Sequence, residues 1–367
     1  MNNTSITFGT DEGLDEIQRW LREDNDLGVI EELTVWSIDH CGSTPPPFGV
    51  RRALNLLELL HARCGELKNL VRVSNHARLW FSDLTARIVR DCPTVQEFTT
   101  LIDDRFTKNT LQALSTSSVK RLEICYHGGP FVGSMCEVLC ARQEPPRHLI
   151  LHSNHFDRDA LAIFADALPR MRLEILGFDF EAFSDHYEQE DYQRFFKGLS
   201  GCLDTKEVYL RMGDMWLDES SFSSMLVAIQ SMVALHTLRF QMVKLSKDQW
   251  FRLGKAVAKC ARMTVFDLHH THDRAEADAF LDGCGLHPRL LQIVLGSVSS
   301  SIVQTRTQRW QNLRARCLTV LLVGSSVQRA GEHSSIYKIP IDIFRRLHSF
   351  LPEGDVLMPP AVPDWWY

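Results

Sequence analysis

The chain lacks the marks of several common protein classes. Its 367 residues hold no G-x-S-x-G, P-loop, G-x-G-x-x-G or H-E-x-x-H string, so the short motifs of hydrolytic, nucleotide-binding and zinc-protease chemistry are missing. The longest apolar stretches, near 290–303 and 317–324, are too short or too polar to cross a bilayer. The opening MNNTSITFGTDEGLDE has neither a basic n-region nor an apolar core, so no signal peptide is expected. Net charge is −6 and no dense Lys/Arg block occurs, which argues against nucleic acid as a partner. These absences lead us to expect a cytoplasmic or nuclear protein that binds no membrane.

What the chain does have is ten cysteines, several of them in phase with short apolar runs. Cys64, Cys92, Cys202 and Cys260 each stand six residues before Leu70, Phe98, Val208 and Phe266. Cys140 and Cys284 stand nine residues before Leu149 and Ile293. With Leu33, Leu122, Leu173 and Leu238 these form ten anchors between 33 and 293, at steps of 24 to 37 residues. Self-similarity at that period marks a stacked-repeat architecture. Cysteines in such phase read as small buried hydrophobes rather than a disulfide framework.

Each unit has two halves. Runs such as VKRLEI (119–124), LHTLRF (235–240) and TVFDL (264–268) alternate apolar and other residues, as a half-buried strand does. Between them lie helical stripes: Leu161, Phe164, Ala165, Leu168; then Phe222, Met225, Leu226, Ile229; then Trp250, Leu253, Val257, Cys260 behind a Ser246…Gln249 capping box. Neither half can bury its apolar face alone, and stacking supplies the shared core.

The L-x-x-L-x-L run followed by a helix resembles the leucine-rich repeat, and C-P-x-V-x-x-F at Cys92–Phe98 resembles its cysteine-containing class. Steps near 28 look like that class or the ribonuclease-inhibitor-like one. The resemblance implies an α/β fold: a right-handed leucine-rich-repeat solenoid, or horseshoe, with one strand and one helix per repeat and helical caps at both ends. It covers about residues 25–300, and the asparagine expected after the strand stands at Asn154 and Asn75. The domains expected are an N-terminal capping helix (1–32, with Leu14, Ile17, Trp20 and Leu21), an array of about ten degenerate repeats (33–303), a C-terminal cap or F-box-like segment (304–352) and a flexible tail (353–367). The stretch 180–193 reads as an insertion.

The segment IPIDIFRRLHSFL (339–351) resembles the first helix of an F-box, which docks the adaptor of a cullin-type ubiquitin ligase. The resemblance would give Pro340, Ile343, Leu347 and Phe350 that docking role. Sixteen residues follow Leu351, too few for the rest of an F-box, so the competing expectation is a helix that closes the apolar end of the array. LHHTHD (268–273) offers three histidines and an aspartate, but with no C-x-x-C pair nearby we read it as a solvated loop with Asp273 capping the next helix. Cys125, Tyr126 and His127 are neighbours along a strand and point to alternate faces, so they form no positioned thiol–imidazole dyad. No cofactor, metal or catalytic residue is expected. A GTPase-activating or other enzyme role on this fold stays an alternative without a residue to carry it.

The expected function is therefore non-catalytic: a scaffold that recognises a partner protein through the concave strand face. The side chains between the buried anchors would line it, at Thr34, Trp36, Glu123, Cys125, Glu174, Tyr209, Arg211, Arg239, Gln241, Asp267 and His269. Trp36, Tyr209, Arg211 and Arg239 are the residue types that dominate interfaces. Tyr209, Arg239 and Asp267 are expected at the solvent side, with Arg239→Ala nearly neutral for stability.

Overall fold

A computed structural model describes residues 4–8, 11–22, 26–35, 48–77, 81–103, 107–127, 131–153, 156–180, 187–269, 274–285 and 292–295. Strands and helices alternate throughout. The first five repeats are β1 (Thr4–Phe8) and α1 (Asp11–Arg22), β2 (Ile30–Val35) and α2 (Phe48–Ala62), β3 (Arg72–Asn75) and α3 (Ser82–Asp91), β4 (Glu97–Asp103) and α4 (Thr107–Thr116), and β5 (Arg121–His127) and α5 (Phe131–Ala141). Then come β6 (His148–Ser153) and α6 (Arg158–Met171), β7 (Ile175–Asp179) and α7 (Gln189–Ser200), and β8 (Glu207–Trp216) and α8 (Glu219–Ser231). Last are β9 (Thr237–Lys244) and α9 (Lys247–Lys259), β10 (Val265–His269) and α10 (Arg274–Cys284), and β11 (Gln292–Leu295). All eleven strands join one sheet in sequence order, every pair parallel. Neighbouring helices pack side by side in the same order. This is an α/β solenoid with one strand and one helix per repeat.

Strand register identifies the core column: Ile6, Leu33, Val73, Phe98, Leu122, Leu149, Leu176, Val208, Leu238, Phe266 and Ile293. Leu33 through Phe266 are all essentially solvent-free. Two expected anchors slip by three residues, since Val73 and Leu176 occupy the places assigned to Leu70 and Leu173. Both leucines are buried too, in a second column with Ile30, Val95, Val119, Leu235 and Met263. An L-x-x-L pair shows two buried leucines, and sequence spacing alone favours the first. Counted from Val73, Cys64 joins Cys140 and Cys284 at nine residues, and it is half-buried where Cys92, Cys202 and Cys260 are buried. Burial pushes the Cys92 and Cys202 thiols up to about 12, with the neighbouring Cys64 adding to the rise at Cys92.

The N-terminal helix has Leu14 and Ile17 buried, but β1 precedes it and pairs with β2. Helix α1 is thus the second half of a repeat rather than a bare end cap. Residues 189–193, the last five of the expected insertion 180–193, belong to α7 and so to that repeat's own helix. Around it Phe156, Phe164, Phe178, Phe180, Tyr187, Tyr192 and Phe195 form one aromatic cluster. The Tyr187 hydroxyl donates to the Phe156 carbonyl at 2.7 Å. The Ser246–Gln249 capping box forms as expected. Asn75 is buried; its side-chain oxygen accepts from the Ala77 N–H and its amide donates to Ser82. Asn154 lies outside the described residues.

Helices α9 and α10 approach through two glycines that answer each other. A Cβ on Gly254 would collide with the Phe280 carbonyl oxygen, and one on Gly283 with the Phe251 carbonyl oxygen. Gly65 has open space around it. Gly254→Ala is therefore expected to cost about 1–3 kcal/mol by overpacking, and Gly65→Ala to leave stability nearly unchanged. Urea denaturation of the two variants checks this.

Candidate functional site: the strand face

Side chains next to the core column point away from the helices, because successive strand residues alternate between faces. Register sorts them into three rows. The first runs Glu32, Arg72, Glu97, Arg121, His148, Ile175, Glu207, Thr237, Val265. The second runs Thr34, Ser74, Thr99, Glu123, Ile150, Gly177, Tyr209, Arg239, Asp267. The third holds Cys125, His152, Asp179, Arg211, Gln241 and His269. Thus Glu123, Tyr209, Arg211, Arg239, Gln241 and Asp267 stand on these rows, and His269 holds a third-row position by register.

Glu174 does not. It precedes β7 in a row along the edge where strands begin, with Lys206 at 2.7 Å and Arg147 at 3.4 Å. The slip from Leu176 to Leu173 put it on the wrong row. Trp36 lies outside the described residues, as do Pro340, Ile343, Leu347 and Phe350. So do His270, His272 and Asp273 of the histidine-rich loop. The whole first row escaped the sequence reading, which looked only after each anchor; counting one residue back finds Arg72, Glu97 and Arg121.

The face has two unlike halves. From β2 to β5 the first row alternates in sign and stays part-exposed. Arg72 lies 2.9 Å from Glu97 and 3.6 Å from Glu32, and Arg121 lies 3.8 Å from Glu123. His152 Nε2 stands 3.1 Å from Glu123 Oε1. Burial pushes the Glu123 carboxyl up, but the bond and charge of His152, with Arg121 and His76, outweigh it and hold the carboxyl below the usual glutamate range. Cys125 sits beside His152 in register. Burial and the Glu123 charge push its thiol up to about 12, so it is protonated and a poor nucleophile at neutral pH.

The other half, over β7–β10, is closed. Tyr209 is 2 % exposed, Arg239 1 % and Asp267 4 %, which corrects the expectation that they meet solvent. Arg239 lies 3.7 Å from Asp267 and 5.4 Å from the centre of the Tyr209 ring. Arg211 is 3.7 Å from Asp179. The geometry is that of a packed polar layer rather than an open contact surface. Outside both halves, Trp216 at the far end of the ten-residue strand β8 is 63 % exposed.

No family model matches the chain, and none of the curated proteins does. Among solved structures it is similar to the leucine-rich repeat-containing protein LegL7 of Legionella pneumophila, at 14% identity over 78% of this chain and 92% of that one, TM-score 0.45. It is also similar to a protein of Bacteroides fragilis, at 12% identity over 81% and 74%, TM-score 0.44. A third, actin-binding site 2 of leiomodin-1, matches at 9% over 51% and 99%, TM-score 0.34. The fold itself rests on the strand order and register above.

Two outcomes are expected. Arg239→Ala removes a guanidinium packed on a buried carboxylate and should cost about 3 kcal/mol, against less than about 0.5 kcal/mol for the half-exposed Arg72→Ala; chemical denaturation measures both. His76, His148 and His236 are each held below the usual histidine value, chiefly by burial. Their imidazoles bind protons more readily unfolded than folded, so stability should be full above about pH 6.5 and fall as pH drops below it. A pH series of melting temperatures checks this, and His236→Gln should flatten the fall.

Proposed function

We propose that the chain is a non-catalytic scaffold that holds a protein partner on the strand face between β2 and β6. The observation that supports this is the first row of alternating charge. Glu32, Arg72, Glu97 and Arg121 keep between 32 and 47 % of their side chains exposed, set side by side on adjacent strands. Part-exposed charges of both signs on a rigid sheet favour a partner with the complementary sequence of charges and disfavour others. The Glu123–His152 pair stands beside this row and supplies two hydrogen-bonding groups already oriented by each other.

The resemblance of 339–351 to an F-box helix favours a second, finer reading. In it the strand face would hold a substrate while Pro340, Ile343, Leu347 and Phe350 dock a ligase adaptor. One experiment tests both. Full-length wild type and Arg72→Glu/Arg121→Glu are used as baits, with captured proteins quantified by mass spectrometry and folding checked by melting. The partner should be lost from the double variant and kept by Lys68→Glu, a change away from the face. Identical capture by all three baits would remove the scaffold reading. Loss of ubiquitin-ligase subunits from a folded Leu347→Asp bait, and from that bait alone, is the result expected of the ligase reading, and their absence from the wild-type capture overturns it.

A further inference from the structure

Exposed apolar surface gathers in one part of the array. Among the described residues five large apolar side chains are more than half exposed, and four of them, Leu203, Trp216, Val227 and Val233, fall between the end of α7 and the start of β9. They sort to two opposite edges. Trp216 ends β8, at the edge where strands finish and helices begin. Leu203 and Val233 stand at the other edge, each three residues before the residue, Lys206 or His236, whose N–H bonds to the preceding repeat. Val227 lies one turn before the end of α8, on the same side as these two. Helix α8, thirteen residues or about 20 Å long, separates the edges. A lone exposed valine needs no account, but three aliphatic side chains at one edge mark an association surface.

The two edges also differ in charge. Where strands finish, residues 188–191, 216–219 and 244–248 hold six carboxylates against two lysines. Arg158 and Arg252 each lie against two of those carboxylates, which makes six negative groups to four positive. Where helices finish, residues 197–204, 227–234 and 255–262 hold four Lys/Arg against one aspartate. Acids at a helix start are common because they complement the helix dipole, but the first turns of α2, α4 and α5 carry none, so the polarity belongs to this stretch. We propose that two copies of the chain associate edge to edge, with Trp216 and the acidic edge of one seated on Leu203, Val227, Val233 and the basic edge of the next. An acidic edge and a basic edge on one chain, each with exposed apolar side chains, complement one another. Tryptophan is a residue type that anchors such contacts. The contact joins unlike surfaces, so a pair keeps one free edge of each kind and further copies can add. The strand face takes no part, so this pairing and the partner proposed above are independent.

The test is sedimentation velocity on the full-length chain over a range of concentrations. The wild type should sediment faster as concentration rises, and Trp216→Ser should raise the concentration needed about tenfold. Glu190→Lys/Asp248→Lys makes both edges basic, and Lys197→Glu/Lys259→Glu makes both acidic; each double variant alone should stay monomeric. Their equimolar mixture should assemble again, because the reversed edge of one meets the reversed edge of the other. Melting curves confirm that the variants are folded, and Trp216→Ser, at an exposed position, does not rely on the charge reversals folding. A wild type that stays monomeric at every concentration would overturn the proposal. So would a mixture of folded variants that stays monomeric, or variants that assemble as the wild type does. A monomer that instead binds phosphatidylserine vesicles through Lys197 and Lys259 would assign the basic edge to a lipid surface and overturn it too.

Discussion

From the fourth strand to the tenth, each repeat enters the sheet by placing two successive N–H groups on one carbonyl of the repeat before it. Gln96 and Glu97 donate to Val71, Lys120 and Arg121 to Gln96, and Arg147 and His148 to Lys120. Glu174 and Ile175 donate to Arg147, Lys206 and Glu207 to Glu174, His236 and Thr237 to Lys206, and Thr264 and Val265 to His236. All fourteen distances lie between 2.7 and 3.1 Å. The lock uses only backbone, so side chains at these positions are free to vary. Once it closes, the core column and the three strand-face rows follow without further choice. Repeats of unequal length fit because the extra residues fall between locks. Leu33 to Val73 spans forty residues and Phe98 to Leu122 twenty-four, and longer loops add closure entropy only slowly.

Side chains reinforce the same junction. Cys92 Sγ lies 3.7 Å from the Cys64 carbonyl, Cys140 Sγ 3.8 Å from that of Ala167, and Cys260 Sγ 3.4 Å from that of Ile229. Thr205 Oγ1 donates to the Leu173 carbonyl at 2.8 Å and Thr264 Oγ1 to that of His236 at 3.0 Å. Arg142 reaches the Leu114 and Ser117 carbonyls. These donors satisfy helix-end and loop carbonyls that burial would otherwise leave costly. The phased cysteines are therefore small apolar fillers with a weak donor.

Most of the architecture was legible in the sequence because core positions recur with little chemical variety. Leu122, Leu149, Val208, Leu238 and Phe266 are anchors both by spacing and by register. The failures share a cause. Where L-x-x-L offers two buried leucines, as at Leu70 and Leu173, spacing cannot say which one sits in the strand, and the choice moved Glu174 onto the wrong row. Strand β1 was overlooked because TSITF is five residues with no leading leucine. The strand face was harder still. Alternation says which way Arg239 points, but only tertiary packing says whether water reaches it, so an arginine read as an exposed contact proved to be the side chain at the centre of a buried polar layer.

The sequential strand order has a mechanical consequence. Among the described residues each strand is hydrogen-bonded only to the strands beside it, so tension applied at β1 and β11 acts on the terminal rungs in series rather than across the whole sheet in parallel. The interior stays assembled until its neighbour has gone. A rung such as Leu122 to Leu149, twenty-seven residues, pays out about 9 nm at about 3.4 Å per residue when it comes away. A molecule built this way yields to a pull like a zip, tooth by tooth, at forces set by single junctions rather than by the size of the whole.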